Sequence, residues 1–343
     1  MSAAVFPIDI RWHAARTTTT TPLSMRSLQS RVRLLPWPWA GLLTCLLSVF
    51  LLVAFRRLPA HAAGSPGAVS TAPTSICSHR AAQSGDTQPP STAAEYATSM
   101  RALAASGIVC YDVDVTPFGG ARAADGSVPH GVGHPTAFTH MGANGVVSGG
   151  GRPATLQDFF DVLKSLPSGA SATLEVKGAL VDDARFAAFL VSAARAAGVL
   201  GQISVQGVAP AVAPPGLTLS IALKDRPEED GSVCGGVMAS GGGGEAAAVS
   251  LANVLSAYDV VCPSVKCVEI GVVRDAISVW SKKRGREEGR RPSGPAIGTV
   301  QMWIVDDAQS ALRARSSIDD GVRLARFVSN EPMALARALE KVA

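Results

Sequence analysis

The chain has 343 residues, 47% hydrophobic and 17% charged, a composition that excludes a disordered protein and supplies a large core for one large domain or two ordinary ones. The formal charge of +4 invites an acidic partner, but the first 63 residues hold seven Arg and one acid, Asp9, so residues 64–343 carry −2. Nucleic-acid binding needs basic charge gathered on the folded part, and this distribution argues against it.

In chain order, residues 1–35 are rich in Arg, Ser and Thr and read as a cytosolic or targeting N-terminus. Residues 36–57 contain an uncharged run at 37–55, 19 residues long and close to the ~20 that cross a bilayer. Arg26, Arg31 and Arg33 precede it, and Trp37 and Trp39 stand at interface level, which predicts a cytosolic N-terminus and a lumenal or extracellular remainder. The long basic N-terminus and Arg56-Arg57 favour a single-pass signal anchor over cleavage near Ala62, which would release a secreted protein. Residues 58–74 are small, Pro-containing and aperiodic, as in a flexible linker, so the folded domain is expected over 75–343.

Within that domain, β-rich runs at 108–115, 172–176, 203–205, 217–223 and 300–305 are interleaved with helical patterns at 93–105, 156–166, 182–197, 246–257, 272–282 and 332–342. Alternation of this kind predicts a parallel sheet covered by helices, either closed as a barrel or open and doubly wound. The 269 residues fit the ~250 of a (β/α)8 barrel. Ser91-Thr92 ahead of Glu95, and Asp182-Asp183, mark helix starts. The glycine run 241–244 lacks a following GK[ST] and reads as a loop. The basic run 282–291 reads as a solvated surface insertion rather than an anionic-lipid contact. Of the six cysteines, Cys262 and Cys267 are spaced for a local bridge, while separate buried thiols are the favoured reading.

Barrel enzymes carry their chemistry at the C-terminal ends of strands, so polar residues that end apolar runs are the candidates. His79-Arg80 follows Ile76-Cys77-Ser78; Asp112 and Asp114 share one strand face at i and i+2, as do Glu175 and Lys177; His134 follows Val132-Gly133. Two carboxylates on one face repel each other unless a hard cation lies between them.

The order HR, acid-x-acid, H, E-x-K and finally Trp303-Ile304-Val305-Asp306 resembles the glycerophosphodiester phosphodiesterase family over residues 75–343, with Ser329-Asn330-Glu331-Pro332 similar to its last element. The resemblance implies a TIM-type (β/α)8 barrel. It also implies Ca2+ or Mg2+ on Asp112, Asp114 and Glu175, His79 and His134 as acid and base, Arg80 and Lys177 as fixed positive charge, and Trp303 against the substrate. A small-molecule phosphodiester or lysophospholipid would be that substrate, reached with the membrane attached through 37–55. The chain departs from the family pattern at Pro90-Ser91-Thr92, where a glutamate is expected, at Asp112 in place of Glu, and at Pro135 in place of Asp. Gly133-His134-Pro135 and Thr155-Leu156-Gln157-Asp158 are similar to the menorin group of the same superfamily, which is the second reading. Outside catalysis, a membrane-tethered binding barrel is the alternative; a glycan-modifying enzyme would leave His79, Arg80 and Lys177 unexplained.

Overall fold

The computed structural model describes residues 75–85, 88–118, 127–138, 151–223, 245–288, 298–318 and 322–342. Eight parallel strands form a closed sheet: β1 (Ser75–His79), β2 (Cys110–Pro117), β4 (Ser171–Val176), β5 (Ile203–Gln206), β6 (Leu219–Leu223), β7 (Val260–Pro263), β8 (Thr299–Met302) and β9 (Arg323–Ser329). Each pairs with the next, and β1 pairs with both β9 and β2, so the cylinder has no open edge among these strands. This selects the closed arrangement over the doubly wound one. A ninth strand, β3 (His130–Val132), lies antiparallel on the far end of β2.

Helices cover the outside: α1 (Ala93–Ala105), the short α2 (Pro135–Phe138), α3 (Leu156–Ser165), α4 (Ala184–Ala197), α5 (Glu245–Leu255), the short α6 (Val265–Val268), α7 (Gly271–Glu288), α8 (Ala308–Ser317) and α9 (Pro332–Glu340). Alternation along the strands explains the two layers. Tyr111, Val113 and Val115 of β2 and Ala172, Leu174 and Val176 of β4 belong to a buried core with Phe159, Leu163 and Leu190 of the helices. Val261, Val300, Met302 and Phe327 do the same with Trp280 of α7 on the opposite side. The remaining strand positions are polar to an unusual degree for a barrel interior: Thr173 Oγ1 and Ser204 Oγ lie 3.0 Å apart and Gln301 joins them at 3.4–3.5 Å.

The helix starts follow the local chemistry. Thr92 and Glu95 form a reciprocal capping box at α1, Thr155 and Asp158 another at α3, and Asp183 caps α4. Thr155-Leu156-Gln157-Asp158, offered above as a menorin-like feature, is thus fully used as a helix cap, reinforced by Arg152 on Asp158 at 2.7 Å.

Several expectations need correction. The basic run from Lys282 is not an insertion up to Glu288: it continues α7, whose apolar stripe precedes it. Cys262 is a free buried thiol and does not bridge to Cys267, which is itself disulfide-bonded. A disulfide joins Cys77 of β1 to Cys110 of β2, a pairing that strand register brings about. Strands β7 and β9 and helix α8 add to the elements expected from the pattern. The run 37–55 and the glycines 241–244 lie outside the described residues, among which no helix is long and apolar enough to cross a membrane.

One glycine has a steric duty. Gly207, at φ +91° after β5, would place a Cβ 2.5 Å from the Val176 carbonyl oxygen. Gly207→Ala is expected to cost about 1–3 kcal/mol in denaturant unfolding, because the clash is with backbone of β4 that cannot give way.

Candidate active site

The C-terminal ends of β1, β2, β4, β8 and β9 bring the singled-out residues to one mouth of the barrel. His79 ends β1, and its register partner on β2 is Asp112. Asp114 stands opposite Glu175 of β4, and Lys177 follows that strand directly. His79, Asp112, Asp114 and Glu175 are all buried. His134 arrives by another route: β2 runs on past the barrel, β3 turns back along it, and Gly133 N donates to Asp114 O at 2.9 Å while Thr116 Oγ1 donates to Gly133 O at 2.7 Å. These bonds hold the loop that carries His134 over the Asp112–Asp114 strand.

Lys177 Nζ bridges Asp114 Oδ1 at 3.1 Å and Glu175 Oε1 at 2.5 Å, and Arg80 Nε lies 3.8 Å from Asp114 Oδ2. Burial works against the Lys177 ammonium, but Glu175 and Asp114 outweigh it and hold its pKa above the ordinary lysine value. Among the described residues Asp112 forms no ion pair. Burial first, then the charges of Glu175 and Asp114, push its carboxyl well above the usual range, against the opposing help of Lys177 and Trp303. Both imidazoles are held below the ordinary histidine value, each chiefly by burial, with the Arg80 charge adding to the effect.

Trp303, the residue expected against the substrate, packs on two of these side chains. Its indole N–H donates to Asp112 Oδ2 at 3.3 Å, and its ring meets His79 edge to face with centroids 5.9 Å apart. The ring is half-buried at the mouth, in contact with both side chains.

Two residues missed in the sequence reading complete the site. His79 Nδ1 lies 2.7 Å from Asn330 Oδ1. Asp306 accepts from Asn330 N at 2.7 Å, from Asn330 Nδ2 at 2.9 Å and from Ser329 Oγ at 3.0 Å. An ionised carboxylate accepts only, so Asp306 turns the amide nitrogen toward itself and the amide oxygen toward His79. The Nδ1 of His79 must then donate, which leaves a lone pair on Nε2. The signal was within the quoted segments, Asp306 three residues after Trp303 and Asn330 in Ser-Asn-Glu-Pro, but neither residue type announces chemistry alone. Asp306→Ala is expected to lower kcat about 10- to 100-fold with little change in KM, since it releases the tautomer and orientation of His79 without touching substrate.

The turn after His79 is conformationally costly. Arg80 and Ala81 have φ of 59° and 52°, and Ile304, next to Trp303, has 39°. Each such non-glycine residue costs roughly 1–3 kcal/mol and persists only where its surroundings over-determine it. They do so here: Ser99 Oγ donates to Ala81 O and Ser78 Oγ to Ala82 O, both at 2.6 Å, and Gly85 N donates to Glu331 Oε1 at 2.7 Å. Beside this turn opens a cavity of about 420 Å³, lined in part by Gln83, Gln88, Pro90 and Glu95.

Among the described residues no group of three or more metal-ligating side chains stands in coordinating geometry, and Lys177 bridges two of the three carboxylates. The donor set nevertheless fits a hard divalent cation. It is all carboxylate, and among the described residues Asp114 Oδ2 is buried with no hydrogen-bond partner.

The chain is similar in structure to glycerophosphodiester phosphodiesterases. That from Parabacteroides distasonis aligns at TM-score 0.48 and 14% identity, covering 78% of this chain and 98% of the other. The enzyme from Agrobacterium tumefaciens aligns at 0.46 and 14%, covering 78% and 99%, and that from Thermotoga maritima at 0.44 and 12%, covering 77% and 98%. No protein-family model matches the sequence, and no curated protein matches it.

Proposed function

We propose that the chain is a phosphodiester hydrolase that cleaves glycerophosphodiesters or lysophospholipid-type substrates by histidine acid-base chemistry. The observation that carries this reading is a pair of imidazoles beside a carboxylate cluster, His79 buried and His134 half-buried, the first with its tautomer fixed through Asn330 and Asp306. His79 Nε2 takes the proton of the attacking oxygen, water or a substrate hydroxyl, as that oxygen bonds to phosphorus. The bond from phosphorus to the leaving alcohol breaks, and His134 gives that alcohol its proton. Arg80 and Lys177 supply fixed positive charge beside the phosphoryl oxygens.

Asp112, Asp114 and Glu175 would hold Ca2+ or Mg2+, whose contribution is Lewis-acid charge against a phosphoryl oxygen. Trp303 keeps Asp112 and His79 in register. The Cys77–Cys110 bridge and the bonded Cys267 support an oxidising compartment, lumenal or extracellular, with 37–55 as the membrane attachment.

Product analysis tests this directly. The purified chain is offered glycerophosphodiesters and lysophospholipids with and without a chelator. Release of alcohol and phosphomonoester or cyclic phosphate, stopped by chelation, is the expected outcome. Saturable binding of the same compounds with no product at any pH would replace the enzyme with a binding barrel.

A further inference from the structure

The barrel closes where β1 meets β2, in a seam of three register pairs: Cys77 with Cys110, Ser78 with Tyr111 and His79 with Asp112. Alternation turns Cys77 and His79 to one side of β1, and Cys110 and Asp112 to the same side of β2. The disulfide therefore lies inside the barrel, one layer beneath the His79–Asp112 pair and two residues from each member. Both cysteines are buried, in a small cluster with Val328 and against Trp303, the residue that itself touches His79 and Asp112.

We infer that the Cys77–Cys110 disulfide is a positioning element of the active site. It sets the separation of the strands carrying His79 on one side and Asp112 and Asp114 on the other, by a covalent link directly beneath the register pair His79–Asp112. Functional groups must be held within about 0.5 Å to act together, and a displacement near 1 Å can cost about 10²-fold in rate. A cross-link one layer below supplies that constraint covalently. The inference rests on the phosphodiesterase reading for its kinetic consequence, but not for its mechanical one.

The test compares the wild-type chain with Cys77→Ala/Cys110→Ala, with the volume-restoring Cys77→Ala/Cys110→Val, and with Leu190→Ala, which loosens the barrel's outer core on α4 away from the mouth. Both double variants are expected to stay folded and lose about 10- to 100-fold in kcat while KM changes less than about threefold. Amide exchange should quicken at 75–80 and 110–116 and stay unchanged at 203–206 and 219–223. Leu190→Ala, matched for loss of Tm, should keep its kcat. If kcat in the double variants merely follows Tm as in Leu190→Ala, or if exchange quickens throughout the barrel, the disulfide is a general staple and the inference fails. If the wild type hydrolyses nothing, the functional reading falls, while the exchange pattern still decides the mechanical claim. Should neither double variant fold, kcat is followed during phosphine reduction and re-oxidation in a Cys267→Ala background. Reversible loss that precedes any change in far-ultraviolet circular dichroism supports the inference; loss only together with unfolding overturns it.

Discussion

Replacing His79 by Ala is expected to lower turnover of a glycerophosphodiester by about 10²- to 10⁴-fold, and His134→Ala by a similar factor, with the double variant little worse than either. The two losses should differ in their pH dependence. A base works only when unprotonated, so His79 governs the acid limb of the rate profile; an acid works only when protonated, so His134 governs the alkaline limb. Burial holds both groups below the ordinary histidine value, which puts the optimum on the acid side of pH 6.5. His134→Ala should flatten the alkaline limb and leave the acid limb in place. With a substrate whose alcohol is a good leaving group, such as a nitrophenol, the His134 variant should recover most of its rate and the His79 variant should not. Recovery of both, or of neither, would reverse or remove the assignment.

Lys177→Met is expected to destabilise the metal-free protein by about 3 kcal/mol, the lower end of the range for breaking a buried ion pair, because the ammonium side chain keeps 28% of its exposure. The loss leaves Asp114 and Glu175 facing each other with only the more distant Arg80 nearby. The Lys177→Met deficit, measured by urea unfolding, should shrink as salt is raised, which screens the exposed repulsion, and shrink again with saturating Ca2+. A deficit independent of both would mean that Lys177 matters only for packing. Asp112→Asn provides the opposite case. Its carboxyl is already raised, so removing the charge should stabilise the metal-free protein by about 0.5–2 kcal/mol while abolishing turnover, the pattern of a site that trades stability for function.

Much of this arrangement was legible because the strands alternate cleanly. Tyr111-Asp112-Val113-Asp114-Val115 shows its buried outer face and its acidic inner face in five letters, and Leu174-Glu175-Val176-Lys177 does so in four. Helix starts were legible because capping is local: Thr92 with Glu95 and Asp183 are visible without knowing what lies across the fold. What stayed hidden depends on register or on short, unpatterned runs. Strand β7 is four residues long, β9 begins with Arg323 and Arg326 where an apolar run is sought, and α8 carries Arg313 and Arg315 in place of an apolar stripe. The partners Cys77 and Cys110 are 33 residues apart, and nothing in either neighbourhood ties one to the other until β1 lies beside β2. Asn330 meets His79 across 251 residues for the same reason.

The hairpin formed by β2 and β3 has a consequence for how the molecule ages under heat. One imidazole is rooted in the closed cylinder, braced by Asn330, Trp303 and a covalent rung; the other hangs from a three-residue strand outside it, tied down by a few bonds at Gly133. On warming, the outrigger should detach well before the hull founders. Activity would then fade at temperatures where the barrel still scatters, absorbs and resists proteases like a native protein.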